Sequence, residues 1–89
     1  MQLEADATAV VIKRLRRIEG QVGGIIRMLE QGRDCVDIVT QLAAVHRALD
    51  RAGFKLLASG MRQCIAEDLT TGAQQLTPDQ MERLFLSLA

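Results

Sequence analysis

The chain has 89 residues, with 11 basic side chains, 11 acidic side chains and two aromatic residues. This length supports one domain over residues 1–89, of which residues 1–6 are expected to be flexible, and so small a core favours oligomerisation. No apolar run reaches the length of a membrane-spanning helix and no secretory leader is visible, so a cytoplasmic location is expected.

The first predicted helix covers residues 7–31. Apolar residues recur along it at alternating spacings of four and three, which is the period of one helix face. They are Val11, Leu15, Ile18, Val22, Ile25 and Leu29. Gly32 is a suitable C-terminal stop, because glycine readily adopts the left-handed conformation in which many helices end.

The second predicted helix is longer. Asp34 is a candidate N-cap, and the next stop signal is the Thr-Thr-Gly run at residues 70–72. The same alternating spacing gives this helix an apolar stripe of its own. The stripe consists of Ile38, Leu42, Val45, Leu49, Ala52 and Leu56. Two long amphipathic helices joined by a short turn predict an antiparallel hairpin.

A short third helix is predicted after Thr77. Thr77 is a candidate N-cap, Pro78 suits the first helical position, and Gln80 would complete a capping box. The predicted fold class is all-α: a three-helix protomer with a long antiparallel helical hairpin and a short third helix. Its surplus apolar surface should pack helices between chains and pair two hairpins into a four-helix core.

The two cysteines fall near opposite ends of the second predicted helix. Cys35 and Cys64 are 29 residues apart, which corresponds to roughly 43 Å along one continuous helix. They can meet only between two antiparallel copies, because a two-fold axis between Leu49 and Asp50 sets Cys35 of one chain against Cys64 of the other. The alternative is that both are inert buried cysteines.

Basic and amide side chains share faces of the two long helices. Arg14, Arg17 and Gln21 lie on one face of the first, and Arg47 and Arg51 line an edge of the second. Such a surface can contact nucleic-acid phosphates, and a solvated charged face is the alternative. No helix-turn-helix, zinc finger or aromatic platform is visible, so these residues alone leave DNA binding open.

The segment at residues 13–49 contains RLRRIEGQ, RMLE before Cys35 and QLAA after it. It resembles the copper-sensing operon repressor (CsoR/RcnR/FrmR) family of bacterial transcriptional regulators, and the likeness extends over about residues 10–88. The resemblance implies an all-α dimer, usually paired into a tetramer, that binds operator DNA and releases it when a ligand reaches an intersubunit site. It implies Cys35 and Cys64 as sensor residues. It also matches Arg14, Arg17, Gln21, Arg47 and Arg51 to DNA-contacting positions.

Gly60 departs from that family pattern. Metal-sensing members that resemble this chain carry a histidine there, one turn before the late cysteine, where it completes a Cu(I) site. Asp34 and Gln80 also depart from the copper pattern. The cysteine pair without the histidine resembles the persulfide-sensing, CstR-like branch. On that interpretation Gly60 leaves room in the sensor pocket for a sulfur chain bridging Cys35 to Cys64 of the partner.

The sequence therefore predicts a DNA-binding transcriptional repressor, not an enzyme, with an intersubunit dithiol site that senses persulfide and uses no cofactor. The first alternative is a Cu(I) sensor with Cys35 and Cys64 as metal ligands, because soft thiolates select Cu(I). A small thiol sulfurtransferase and a plain helical interaction module are alternatives of other classes. The lone, distant His46 argues against the enzyme. Operator DNA and further copies of the chain are the expected partners. No association with a membrane is expected.

Overall fold

A computed structural model describes residues 3–72 and 77–88. These residues form three helices and no strand: α1 spans Ala5–Glu30, α2 spans Cys35–Thr71 and α3 spans Pro78–Leu88. The all-α, three-helix prediction is confirmed, although α1 starts two residues earlier than expected. Within the described residues, none of the three helices is long and apolar enough to cross a bilayer.

The turn between α1 and α2 is built by the residues that the sequence singled out. Gly32 has a φ of 66°, and the N–H of Arg33 donates to the carbonyl of Met28 at 3.0 Å, so α1 ends in a Schellman motif. Asp34 then caps α2, because its carboxylate accepts from the N–H of Val36 at 3.2 Å. This tight connection reverses the chain.

The helix α2 continues without a break past Gly53 and Gly60 for 37 residues. At about 1.5 Å per residue it is roughly 55 Å long, which accounts for the 57 Å longest dimension of the protomer. The backbone N–H of Glu4 donates to Oε1 of Gln63 at 2.8 Å, so the start of α1 lies beside the distant part of α2. The two helices therefore run antiparallel.

The core between α1 and α2 uses only part of each predicted apolar stripe. The buried members are Val11, Ile18, Ile25, Val45 and Ala52. Ile38 and Leu56 are partly buried. Five further members alternate with the buried ones and are exposed by 41–60%: Leu15, Val22, Leu29, Leu42 and Leu49. These five residues are called the exposed apolar row below. They are the surface that a pairing of two hairpins would need, and the dimer and the tetramer stay predictions.

The short helix α3 folds back onto α2. Its start is the predicted capping box: the N–H of Thr77 donates to Gln80 at 2.9 Å, and the N–H of Gln80 donates to the Thr77 hydroxyl at 3.2 Å. Further along, the rings of Phe54 and Phe85 meet edge to face with centroids 5.7 Å apart. The two aromatic residues of the chain thus anchor α3.

Leu49→Glu is expected to keep the hairpins apart. The substitution puts a carboxylate into the exposed apolar row and removes a leucine whose full burial is worth about 1.5–3 kcal/mol. It does not touch the buried core, so helicity by circular dichroism should persist. Light scattering after gel filtration should show a fall from the wild-type oligomer toward the monomer mass.

Gln41→Glu is the matched control, because it adds the same charge at a neighbouring exposed position on a different helix face. This control should keep the wild-type mass. Equal masses for the wild type and both variants would contradict the role of the exposed apolar row.

Candidate functional site

Side chains of α1 and α2 line an open groove of about 420 Å³ along one side of the hairpin. The lining contains all five residues predicted to contact DNA: Arg14, Arg17, Gln21, Arg47 and Arg51. The apolar part of the lining is Ile18, Ala44 and Ala48. The antiparallel hairpin thus brings together two groups of side chains that lie about 30 residues apart in the sequence. This surface is called the basic groove below.

All charged side chains that line the basic groove are positive. It carries four guanidinium groups, and no carboxylate is among the described residues that line it. The small side chains of Ala44 and Ala48 leave space between the arginines. Four like charges across an open groove repel one another, so a bound anion would lower the electrostatic energy. The groove therefore suits phosphate or another polyanion.

His46 lies outside this lining. Its Nε2 is 3.5 Å from the Asp50 carboxylate, one turn further along α2, and its side chain is 77% exposed. This is the geometry of a surface residue.

The two cysteines lie in opposite environments. Cys35, the first residue of α2, is exposed, whereas Cys64 is 0% exposed. The carboxylate of Asp37 lies 3.9 Å from the guanidinium of Arg33 on the surface around Cys35. Because α2 is continuous between the cysteines, their backbones stay roughly 43 Å apart within one protomer. A site that uses both thiols needs two chains.

Cys64 has a close polar neighbour that the sequence analysis did not single out. Its Sγ lies 3.8 Å from Oδ2 of Asp68, one helical turn later, and the thiol donates to that carboxylate. The four-residue spacing was the available signal. Gly60, one turn earlier, is buried and offers no donor atom. Among the described residues of one protomer, no three His, Cys, Asp or Glu side chains are grouped to hold a metal ion.

A family model described as metal-sensitive transcriptional repressor matches residues 7–86. The chain belongs to this repressor family. Membership confirms the resemblance to the CsoR family and the prediction of a regulator instead of an enzyme. It does not single out the persulfide-sensing branch.

Two relatives are named as copper sensors. The copper-sensing transcriptional repressor RicR of Mycobacterium tuberculosis (strain ATCC 25618 / H37Rv) is 43% identical over 60 residues, which are 67% of this chain and 62% of the relative. The copper-sensing transcriptional repressor CsoR of Bacillus subtilis (strain 168) is 42% identical over 62 residues, which are 70% of this chain and 61% of the relative. The chain spans about three-fifths of the length of these curated relatives.

Two solved structures share the fold. The copper-sensing repressor CsoR with Cu(I) from Geobacillus thermodenitrificans NG80-2 superposes with a TM-score of 0.83 at 30% identity, covering 98% of this chain and 91% of the other. The nickel-responsive transcriptional regulator InrS superposes with a TM-score of 0.77 at 27% identity, covering 100% of this chain and 98% of the other.

The prediction of a site without a cofactor is wrong. It rested on Gly60, but the relatives are copper-sensing repressors and one solved neighbour holds Cu(I). The physical reason is that losing an imidazole removes one ligand and leaves the two thiolates, which are the donors that select Cu(I). The absence of a histidine at position 60 therefore carries less weight than the presence of the cysteine pair.

The different exposure of the two cysteines predicts unequal thiol reactivity. In the reduced, metal-free protein, a small alkylating agent should modify Cys35 at least about tenfold faster than Cys64, because a buried thiol reacts only after local opening. Peptide mass spectrometry at successive times would measure both rates. Cys35→Ser should lose the fast phase, and both thiols should react quickly in denaturant. Equal rates in the native protein would contradict the burial of Cys64.

Proposed function

We propose that this chain represses transcription by binding operator DNA through the basic groove, and that Cu(I) bound between two protomers releases the DNA. The observation that carries the proposal is the convergence of Arg14, Arg17, Gln21, Arg47 and Arg51 on one groove. Membership of a metal-sensitive repressor family supports the link between DNA binding and a metal.

The DNA-binding part rests on charge and shape. Arginine presents a planar fork of donors that matches phosphate oxygens, and each phosphate it neutralises releases counterions. The amide of Gln21 adds a neutral donor and acceptor within the same lining. The groove is formed jointly by α1 and α2, so the affinity for DNA depends on how these two helices pack against each other.

The sensor part rests on the cysteines. The proposed two-fold axis crosses α2 between Leu49 and Asp50, next to the exposed apolar row, and brings Cys35 of one protomer to Cys64 of the other. Cys35 of one protomer and Cys64 of the other would hold Cu(I) as thiolate ligands, and this shared coordination would join the ends of two α2 helices. The chain's own part is to hold one exposed and one buried thiol at those ends.

The burial of Cys64 suggests how the site affects the groove. A ligand can reach its sulfur only after a local rearrangement of the packing, because the side chain is 0% exposed. The neighbouring Gln63 is hydrogen bonded to the start of α1. Ligand binding at Cys64 would therefore shift α1 relative to α2 and alter the spacing of the groove arginines.

Gly60 favours reactive sulfur as a second candidate inducer, because a buried glycine contributes no metal ligand. A persulfide would transfer its outer sulfur to Cys35 and leave as a thiol. Cys64 of the partner subunit would then displace hydrogen sulfide and form a disulfide with Cys35. Copper remains the first candidate, because the relatives described above are copper sensors.

Arg51→Ala is expected to weaken operator binding and lower the salt slope by about one, because one phosphate contact is lost. Arg14→Ala should act in the same way. Fluorescence anisotropy with labelled promoter DNA, repeated at several salt concentrations, would measure both quantities.

Arg62→Ala removes the same charge from an exposed position of α2 outside the groove and serves as the control. It should match the wild type in affinity and salt slope. Wild-type values in both groove variants would exclude the groove as the DNA surface.

Stoichiometric Cu(I) is expected to release the operator from the wild type and to leave it bound to Cys35→Ser and Cys64→Ser, because each variant retains one thiolate per site. Gly60→His should tighten Cu(I) binding at least about tenfold by adding an imidazole ligand. Anisotropy together with a Cu(I) competition titration would measure both effects. If persulfide released the operator and Cu(I) did not, reactive sulfur would replace Cu(I) as the proposed inducer.

A further inference from the structure

Asp68 and Cys64 form a pair of donor groups on one face of α2. They are four residues apart, and the Cys64 Sγ lies 3.8 Å from the Asp68 Oδ2. Cys64 is fully buried and Asp68 is partly buried, so the pair is held inside the protein packing. Gly60 lies one turn on the other side of Cys64 and has no side-chain donor. The helix thus has a carboxylate one turn after the sulfur and no imidazole one turn before it.

The separation of these two atoms suits shared coordination of one ion. A zinc ion lies about 2.3 Å from a cysteine sulfur and about 2.0–2.2 Å from a carboxylate oxygen. At tetrahedral to trigonal angles, two such ligands are about 3.6–3.8 Å apart. The observed separation of 3.8 Å lies at the upper end of this range. After a local opening of the packing admits it, a metal ion could therefore replace the thiol proton between the two atoms while their separation stays close to 3.8 Å.

We propose that Asp68 is a metal ligand of the sensor site and supplies the third protein ligand, which Gly60 cannot supply. The inference rests on the proposed function, because the remaining protein donor is Cys35 of the partner subunit. The donor set is then two thiolates and one carboxylate. Binding releases the thiol protons to solvent and needs no oxidant or reductant.

A carboxylate in this position changes which metals the site accepts. Cu(I) is soft and is held by the two thiolates, so an oxygen donor adds little to its affinity. Zn²⁺ takes thiolate and carboxylate ligands together, usually in four-coordinate geometry, which leaves one position for water. Asp68 is thus a specificity-determining residue that extends the site from Cu(I) to a borderline divalent ion.

Titration of the reduced, metal-free full-length protein with Co²⁺ tests this assignment, with Co²⁺ as the spectroscopic probe for Zn²⁺. The wild type should show a thiolate-to-cobalt charge-transfer band and the intense visible bands of a four-coordinate ion. Asp68→Asn should weaken Co²⁺ binding at least tenfold and reduce the visible bands, because the amide is a poor ligand. Its Cu(I) affinity should stay within about twofold of the wild type.

Asp50→Asn is the matched control, because Asp50 lies on the same helix beside His46 and away from the thiols. It should leave Co²⁺ binding unchanged. Should Asp68→Asn lose helicity, Asp68→Glu provides the second test: it keeps a carboxylate, displaced by one methylene, and should bind Co²⁺ with shifted visible bands.

Absence of a thiolate-to-cobalt band in the wild type, unaltered Co²⁺ binding in Asp68→Asn, or visible bands in Asp68→Glu that match the wild type would overturn the assignment of Asp68. None of these results affects Cu(I)-dependent operator release. Conversely, the wild type could bind Co²⁺ through Asp68 but stay bound to operator DNA after Cu(I) is added. That result would refute Cu(I) as the inducer and leave Asp68 as a metal ligand.

Discussion

The unbroken backbone hydrogen bonding of α2 is the constraint on which the other features depend. It holds 37 residues in one helix, with Cys35 at its first position and Cys64 near the other end. The helix is too stiff to bring these thiols together, so any site that uses both must be shared between chains. The same helix carries Arg47 and Arg51 near its middle, opposite the arginines of α1. One helix therefore links a candidate sensor to a candidate DNA surface.

The ends of the helices could be predicted because local chemistry determines them. Gly32 adopts the left-handed conformation, Asp34 caps α2, and Thr77 and Gln80 exchange hydrogen bonds at the start of α3. Each of these features depends on residues within a few positions of one another. Helical spacing also predicted that Arg14, Arg17 and Gln21 share one face of the first helix. Their convergence with Arg47 and Arg51 on one groove depends on how α1 and α2 pack.

Other features depended on packing that the sequence does not encode locally. The alternating four-three spacing describes a wide apolar face, but only one row of it fits between α1 and α2. The row with Val45 is buried, and the row with Leu42 and Leu49 remains exposed. Likewise, the full burial of Cys64 and its contact with Asp68 depend on side-chain placement. The mistaken expectation of a site without a cofactor came from weighing one missing donor, Gly60, above the two thiols that remain.

Cys35 and Cys64 are proposed to act as a pair across two chains, and subunit complementation tests this pairing most directly. Cys35→Ser and Cys64→Ser proteins are mixed, unfolded and refolded together, and Cu(I) stoichiometry is measured against a competing chelator. Each variant alone should bind no competitor-resistant Cu(I). The mixed dimer should recover one site, formed by the intact Cys35 of one chain and the intact Cys64 of the other. No recovery in mixed dimers of verified composition would contradict the account.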